Sequence, residues 1–391
     1  MIDRGKVWTG PHNRPLAVDG PIGLYDTTLR DGEQTVGVVL DPEQKLEIAR
    51  ALDGLGVDRI EAGFPRVSPD DAEAIRLIMA AGLGAEVWGF SRAVAADVDA
   101  LIELDVSATV IESPVSDTKL AAYGLDRAEV ERRVVAAVAR ARAHGIQVAY
   151  FGVDGSRADL EFLERIYTAA LDAGAEEIVV VDTIGAAAPE TVELLVSSAR
   201  EWVGPEVPIH FHGHNDFGLA TAAAVAAVRA GATWIQGTVN GMGERAGNAN
   251  LVEVALALDA LYGVATSLHL ERARGVSELV RRLSGYELEP WKPVVGENLF
   301  VRESGAVASQ FHDPPAIEPY SAELVGAKRR IVLGKKSGLD SIRLACAELG
   351  VAVPEESYPK LLAAVKALST RERRLVTSEE FREMIAREEA R

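Results

Sequence analysis

Short apolar runs alternate with amphipathic helical stretches along the first two thirds of the chain. Each run is five or six residues long and bounded by polar or glycine residues, which is typical of strands buried on both faces of a sheet. The predicted strands are residues 22–26, 58–63, 85–90, 107–112, 147–152, 177–182, 208–213 and 233–238. Several of the helical stretches between them begin with Asp or Pro and end with Gly, as helix caps require.

Eight strand–helix repeats over about 250 residues predict a (β/α)8 TIM barrel, of the α/β class. The alternative is a doubly wound open sheet, which is weakened because no G-x-G-x-x-G follows the first strand. Beyond about residue 275 the pattern changes to a loop-rich stretch and then to helices. We predict an N-terminal extension (1–20), a barrel domain (21–275), an irregular linker that covers a site (276–335) and a small helical domain (336–391).

Composition restricts the classes of partner and compartment. The formal net charge of −18 repels phosphate backbones, so nucleic acid is not expected as a partner. No apolar run approaches the ~20 residues of a membrane span, and the N-terminus has no apolar signal-peptide core. The single cysteine, Cys346, fits a reducing cytoplasm and is expected to be a buried apolar residue.

Polar residues cluster after four of the predicted strands. The clusters are "YDTTLRDGEQ" (25–34), "VVDTIG" (180–185), "HFHGHNDFG" (210–218) and "GTVNGMGERAGNANL" (237–251). Because the C-terminal ends of barrel strands meet at one mouth, these distant segments are expected to converge there. Asp216 is expected to cap the helix after the seventh strand.

The third cluster contains three alternating histidines, at positions 210, 212 and 214. Alternate residues of a strand point to the same face, so two imidazoles can reach one ion without a turn. Asp31 and Asn248 are natural oxygen ligands for such a site. His210 alone is open to a structural interpretation, as a packed neighbour. The ligand set suits Zn²⁺, Mn²⁺, Co²⁺ or Mg²⁺, and the identity of the ion stays open.

The motifs "LYDTTLRDGEQ", "IEAGFP", "SPVSD", "VDTIG", "HGHNDFG" and "NGMGERAGNANL" occur in an order that resembles a known family. They are similar to the 2-isopropylmalate, homocitrate and citramalate synthases of the DRE-TIM metallolyase superfamily. The similarity covers roughly residues 20–340 and continues through "ESGAVAS" and "LGKKSG", in a pattern closest to homocitrate synthases.

The resemblance implies roles for individual residues. Asp31, His212, His214 and Asn248 would hold the divalent metal, which would chelate the carboxylate and keto oxygens of a 2-oxo acid. Arg30 would stabilise the alkoxide that forms on attack, and Gln34 and Thr183 would help to hold the acid. The co-substrate would be an acyl-CoA, usually acetyl-CoA, and the products a 2-hydroxy diacid and free CoA. The resemblance also implies a homodimer in which the linker and helical region cover the partner's barrel.

Three positions depart from the family pattern. The fifth strand of these synthases commonly ends F-S-x-E-D-x-x-R, whereas Val153 stands here at the Glu position. The linker motif E-S-G-I-H becomes "ESGAV", with Val307 at the His position, and Ile317 stands at the position of a Tyr that works with that His. The sequence therefore leaves the general base unassigned.

Three functions remain open at this point: a synthase for an unusual 2-oxo acid or acyl donor, a metal-dependent aldolase or lyase without thioester hydrolysis, and a non-catalytic paralogue. The complete set of metal ligands favours the first. Arg92 is a candidate for binding a second anionic group of the substrate, or is a solvated loop charge. Pyruvate, oxaloacetate, 2-oxoisovalerate and phosphonopyruvate all remain possible acceptors, and the absence of an Arg on the fifth strand argues against 2-oxoglutarate.

Overall fold

The structure is a computed structural model that describes residues 2–18 and 20–389. Residues 1, 19, 390 and 391, at the edges of the predicted extension and helical domain, lie outside the described residues. The chain forms two compact units: Met1–Ile2 with Pro11–Leu288, and Asp3–Gly10 with Glu289–Arg391. Within the described ranges, no helix is both long and apolar enough to cross a membrane.

The first unit contains a closed barrel of eight parallel strands in sequential order, with β1 also paired to β8. The strands are β1 Gly23–Asp26, β2 Arg59–Gly63, β3 Glu86–Arg92, β4 Ala108–Pro114, β5 Gln147–Val153, β6 Glu177–Asp182, β7 Ile209–Gly213 and β8 Trp234–Gly237. Every predicted strand coincides with one of these to within two residues at either end. The TIM barrel is thereby confirmed and the open sheet excluded.

Helices follow every strand of the barrel. They are α1 Pro42–Leu55, α2 Pro69–Ala80, α3 Ala95–Glu103, α4 Asp117–Tyr123, α5 Arg127–Ala143, α6 Leu160–Asp172, α7 Pro189–Val203, α8 Ala220–Arg229, α9 Leu251–Tyr262 and α10 Ala273–Ser284. The short α4 is inserted between β4 and α5, at the mouth of the barrel. Local sequence explains several boundaries. The Asp41 carboxylate and the Gln44 side chain cap α1 reciprocally, and Gly56 ends α1 with a left-handed φ of 88°.

The interior of the barrel is filled mainly by large apolar side chains, including Tyr25, Trp88, Phe90, Val110, Phe151 and Val181. Arg59 is one of several polar exceptions, and its guanidinium lies in this interior between two indole rings. Its Cζ is 4.4 Å from the ring centre of Trp88 and 3.6 Å from that of Trp234. Two guanidinium nitrogens donate to Glu177, at 2.7 and 3.0 Å, so the buried charge is paired as well as stacked.

The second unit is irregular up to about residue 338 and helical beyond it. The irregular part contains two-residue strands β9 Val301–Arg302 and β10 Arg330–Ile331 and the short helix α11 Gly305–Ala308. The helices are α12 Leu339–Leu349, α13 Tyr358–Glu372 and α14 Ser378–Glu389. They pack around a core that includes Ile342, Val365 and Phe381, and the predicted buried Cys346 lies in this core.

Candidate active site

The mouth of the barrel encloses a cavity of about 470 Å³. Seven of the eight predicted site residues line it: Arg30, Asp31, Gln34, Arg92, Thr183, His212 and His214. The eighth, Asn248, is buried beneath them, and its amide nitrogen lies 2.8 Å from a carboxylate oxygen of Asp31. The fold therefore brings together side chains that follow β1, β3, β6, β7 and β8.

Asp31, His212 and His214 form a compact triangle of potential ligand atoms. The Nε2 atoms of His212 and His214 lie 3.3 and 3.5 Å from Asp31 Oδ2 and 3.4 Å from each other. Two ligands that are each about 2.1 Å from a common ion, at angles near tetrahedral, are separated by about 3.4 Å. The triangle therefore has the dimensions of one face of a metal coordination shell.

The protonation states of these groups suit the same role. Burial favours a neutral Asp31, but the Arg30 guanidinium and the two imidazoles outweigh it and hold the Asp31 pKa well below its usual range. Burial, assisted by neighbouring cationic groups, lowers the pKa of His214 to about 4. At neutral pH the site thus offers a carboxylate and an imidazole with a free lone pair, which are the forms that bind metals.

Asn248 supplies a further oxygen. Its amide nitrogen donates to Asp31 Oδ2 and to the carbonyl of Met242, whereas its buried Oδ1 has no hydrogen-bond partner among the described residues. Glycines make this placement possible. A Cβ at Gly243 would lie 2.3 Å from the Asn248 amide nitrogen, and one at Gly247 would lie 1.8 Å from a backbone oxygen. The orphaned oxygen is consistent with a ligand position next to the triangle.

His210 has a different function from its two neighbours. It is fully buried one layer below them, where its Nε2 lies 2.5 Å from Glu177 and its Nδ1 3.2 Å from the Gln236 amide nitrogen. The amide oxygen of Gln236 lies 3.0 Å from Nδ1 of His212. With this amide orientation, His212 donates from Nδ1 and keeps the Nε2 lone pair for a metal. His210 is therefore a structural neighbour, and it belongs to a chain of hydrogen bonds that selects the His212 tautomer.

Arg30 is held at the edge of the triangle. Its Nε forms a very short contact with Glu61, and its NH1 lies 3.5 Å from Asp31. The guanidinium also lies 4.1 Å from the ring centre of Phe90. Its buried NH2 has no hydrogen-bond partner among the described residues. Arg30 therefore presents a fixed, partly unsatisfied donor beside the metal-type cluster.

The three predicted substrate-binding residues lie at different parts of the cavity wall. Gln34 ends a 3-10 turn after β1, and the Thr183 hydroxyl accepts a 2.7 Å hydrogen bond from the backbone of Asp154. Arg92 pairs with Asp97 through contacts of 2.6 and 3.1 Å, although about half of its side chain is exposed. Arg92 is thus a cavity residue whose charge is already paired within the protein.

The prediction for Asp216 is wrong. Leu219 occupies the N-cap position of α8, and the side chain that accepts a hydrogen bond from the first residue of this helix is Asn215, at 3.1 Å from the Ala220 nitrogen. Asp216 instead accepts hydrogen bonds of 2.9 and 3.1 Å from the Arg245 guanidinium, which also donates to the Thr183 carbonyl at 2.7 Å. The charge of Arg245, from the loop after β8, draws Asp216 away from the helix, and the resulting contacts tie together the loops after β6, β7 and β8.

Three functional candidates were not predicted from the sequence: Glu61, Glu112 and Gln236. Each is a polar residue within a mainly apolar strand, so no local pattern distinguishes it. The only available signal was an unpaired polar residue in a run expected to be fully buried. Val153 lines the same cavity, so the position of the expected Glu is part of the site although its side chain is apolar.

Comparisons with known proteins agree with this geometry. The HMGL-like family model matches residues 21–280, and a model described as homocitrate synthase post-HMGL domain-like matches residues 294–373. A Methanopyrus kandleri protein with the provisional name (R)-citramalate synthase CimA is 46% identical over 360 residues, covering 92% of this chain and 71% of the relative. Homocitrate synthase AksA of the same organism is 43% identical over 367 residues, covering 93% of this chain and 92% of the relative.

The fold also matches solved structures. The crystal structure of the HMG-CoA lyase of Bacillus subtilis superimposes with a TM-score of 0.63 at 20% identity, covering 70% of this chain and 96% of the lyase. At this identity the similarity concerns the fold alone. The family models and the relatives are what place the chain in one group of enzymes. The chain belongs to the HMGL-like family, within the acyltransferase group of the homocitrate, citramalate and 2-isopropylmalate synthases.

Proposed function

We propose that this protein condenses an acyl-CoA, with acetyl-CoA as the first candidate, with a short 2-oxo acid to give a 2-hydroxy diacid and free CoA. The observation that carries the proposal is the buried, unpartnered NH2 of Arg30 beside the Asp31, His212 and His214 triangle. A fixed cationic donor at that point suits an oxygen that gains negative charge during the reaction.

A divalent metal fits the residues that are present. Asp31, His212 and His214 would hold it, and the orphaned Oδ1 of Asn248 would be a weaker ligand. When bound, the metal would act as a Lewis acid toward the carbonyl of the 2-oxo acid. The mixed imidazole and oxygen set suits Zn²⁺, Mn²⁺ or Co²⁺ and, less well, Mg²⁺.

The protein's own groups would orient the acid and stabilise charge. Arg30 NH2 would donate to the keto oxygen as it becomes an alkoxide, and Glu61 would keep the guanidinium from rotating away. Gln34 and Thr183 would bind the carboxylate of the acid from the wall of the cavity. Because the donors are already fixed by the fold, little reorganisation would accompany the reaction.

The cavity wall supports a short acceptor. Phe64, Phe90, Phe151 and Val153 supply apolar surface, and the Arg92 charge is committed to Asp97. This wall suits pyruvate or 2-oxoisovalerate better than acids with a second carboxylate or a phosphonate. If Arg92 instead turned toward the substrate, oxaloacetate or phosphonopyruvate would be the preferred acceptor, so the wall predicts an order of preference that can be tested.

The decisive experiment is release of CoA. Protein loaded with Zn²⁺ or Mn²⁺ is mixed with acetyl-CoA and each of the four acids, and free thiol is followed with a chromogenic reagent. We expect release that depends on one acid and disappears in His212→Ala, with folding of the variant checked by circular dichroism. In a parallel incubation with a 2-hydroxy diacid alone, cleavage of that acid, combined with no thiol release in the first assay, would instead establish a lyase and contradict the proposal.

We also propose a homodimer in which a second chain covers the barrel mouth. Apolar residues on the mouth loops support this: Val36, Val39 and Phe217 have exposed fractions of 96%, 83% and 74%. Exposed apolar surface beside a binding cavity is typical of a site of interaction with another protein. Sedimentation equilibrium at micromolar concentration should give the mass of two chains, and a mass of one chain would contradict the proposal.

A further inference from the structure

The proposed condensation requires a base that the family pattern does not supply in this chain. The α-proton of a thioester is weakly acidic, so a positioned proton acceptor must remove it. On β5, where the resemblance implies a Glu, the wall of the cavity is formed by Phe151 and Val153. Neither side chain can accept a proton, so the acceptor must come from another element.

The neighbouring strand β4 carries a carboxylate, Glu112, at the same level of the barrel as Phe151 of β5. Glu112 of β4 is paired in register with Phe151, and Pro114 is paired with Val153. Glu112 lies two residues beyond Val110, which is buried in the barrel interior, so it points to the same face. It lines the cavity that also contains Arg30 and His212.

Glu112 is free of the contacts that occupy the other carboxylates of this cavity. Asp31 is committed to the metal-type triangle, and Glu244 lies on an exposed loop beside Arg245, 3.4 Å from its NH1. The Glu112 carboxylate forms no hydrogen bond or ion pair among residues 2–18 and 20–389, although the backbone carbonyl of Glu112 accepts a 2.8 Å hydrogen bond from Ala93. A partly buried carboxylate in this state is available to a substrate.

The electrostatic surroundings adjust the basicity of this carboxylate. Burial raises the pKa of Glu112 to about 7, although the two nearby guanidinium groups oppose the shift. The charged and titratable groups that face it are Arg30 and Asp31 after β1, Glu61 on β2, Arg92 on β3 and Tyr150 on β5. A carboxylate with this pKa is a stronger base than an exposed one and is still deprotonated in much of the protein at neutral pH.

We propose that Glu112 is the catalytic base that removes the α-proton of the acyl-CoA, replacing the carboxylate that is absent at position 153. This inference rests on the condensation proposed above. The proton moves to a carboxylate oxygen of Glu112, and the C–H electron pair becomes the enolate of the thioester. The enolate carbon bonds to C2 of the 2-oxo acid, whose carbonyl electrons move to oxygen beside Arg30. Solvent protonates this alkoxide to the hydroxyl, and Glu112 returns its proton to solvent. Water then cleaves the thioester, releasing the CoA thiol, the second carboxylate and one proton.

The test uses Glu112→Gln, which keeps the shape of the side chain and removes its basicity. Glu244→Gln is the matched control, because it removes a carboxylate from the same cavity. Two rates are measured with metal-loaded protein: exchange of the acetyl-CoA methyl protons into D₂O, by mass spectrometry, and thiol release in the presence of the 2-oxo acid. Zn²⁺ binding and thermal unfolding are measured to confirm that both variants fold and retain the metal site.

We expect Glu112→Gln to lower both rates at least 100-fold, in the range that general-base catalysis contributes, and Glu244→Gln to stay within threefold of the wild type. The wild-type kcat/KM should rise with pH through about 7, and this limb should be lost in Glu112→Gln. If Glu112 had only a structural role, Glu112→Gln would lower the rate but leave this rise of kcat/KM with pH in place.

Other outcomes separate this inference from the proposed function. Glu112→Gln within threefold of the wild type in both rates would overturn the base and leave the synthase intact. If the wild type exchanges the methyl protons but releases no thiol, and Glu112→Gln loses the exchange, Glu112 would be supported as the base and the proposed condensation would be contradicted. A wild type that neither exchanges protons nor releases thiol with any of the four acids would overturn both.

Discussion

Gln236 connects the barrel interior to the Asp31, His212 and His214 triangle, because it hydrogen-bonds both His210 and His212. The variant Gln236→Leu tests whether this connection fixes the tautomer of His212. The substitution nearly preserves volume but removes the acceptor for His212 Nδ1 and the donor to His210 Nδ1. His212 is then free to place its proton on Nε2, the atom that faces Asp31 and His214. A metal could then bind Nε2 only after this proton had left or had moved to Nδ1, which would lower the affinity for the metal.

The size of the effect can be worked from these contacts. Loss of a hydrogen bond that orients a histidine ligand costs 10–100-fold in metal affinity, or about 1.4–2.8 kcal/mol. The same change leaves two buried ring nitrogens unsatisfied, at about 1–3 kcal/mol each. We therefore expect the variant to be destabilised by about 2–6 kcal/mol in the metal-free state.

Zn²⁺ affinity is measured by competition with a chromophoric chelator, and stability by urea denaturation of the metal-free protein. Tyr167→Phe is the control, because it deletes a buried 3.0 Å hydrogen bond to the Val179 carbonyl without contacting the histidines. The control should lose about 1 kcal/mol of stability and no Zn²⁺ affinity. Zn²⁺ affinity of Gln236→Leu within threefold of the wild type would refute the argument for tautomer control.

Three further predictions concern the barrel interior and the helical unit. Burial raises the pKa of Asp26 to about 7, so the folded state holds this proton more tightly than the unfolded state. The stability that this proton contributes is complete below about pH 4 and is lost as pH rises through 7, a loss of order 4 kcal/mol. In Asp26→Asn the free energy of unfolding should therefore depend less on pH, as measured by urea denaturation of metal-free protein between about pH 4 and 8. Arg59→Met leaves the buried Glu177 carboxylate without its guanidinium partner and should cost about 3–5 kcal/mol in the same assay, whereas an exposed Arg132→Met should cost less than about 1 kcal/mol. Cys346 is buried, and burial raises the pKa of its thiol, so the native protein should react with a thiol reagent far more slowly than protein unfolded in about 6 M guanidinium. Equal rates of reaction would contradict the packing of α12.

The elements of the fold that could be predicted are those with a local signature. Buried parallel strands are continuous apolar runs, and caps such as Asp41 and Gly56 mark helix ends, so the barrel followed from the sequence. His212 and His214 could be predicted as a pair because strand periodicity alone places them on one face.

The residues that could not be predicted depend on neighbours from other strands. Gln236 and Glu177 meet His210 only because the strand order of the sheet places β6, β7 and β8 side by side. Asp216 satisfies the local rule for an N-cap, but its carboxylate instead accepts a hydrogen bond from Arg245, which lies on another loop. Glu112 lies within β4, and only the cavity shows that its carboxylate faces the same space as Arg30.

The hydrogen-bond chain from Arg59 through Glu177, His210 and Gln236 to His212 has a consequence for how sequences of this group diverge. Each link satisfies the next, so a change at one position leaves a buried charge or a buried polar atom at its neighbour. Substitution should therefore be concerted: a lineage that loses His210 is expected to replace Glu177 and Gln236 as well, on three different strands. Covariation among these positions would record, in an alignment, a constraint that no single sequence displays.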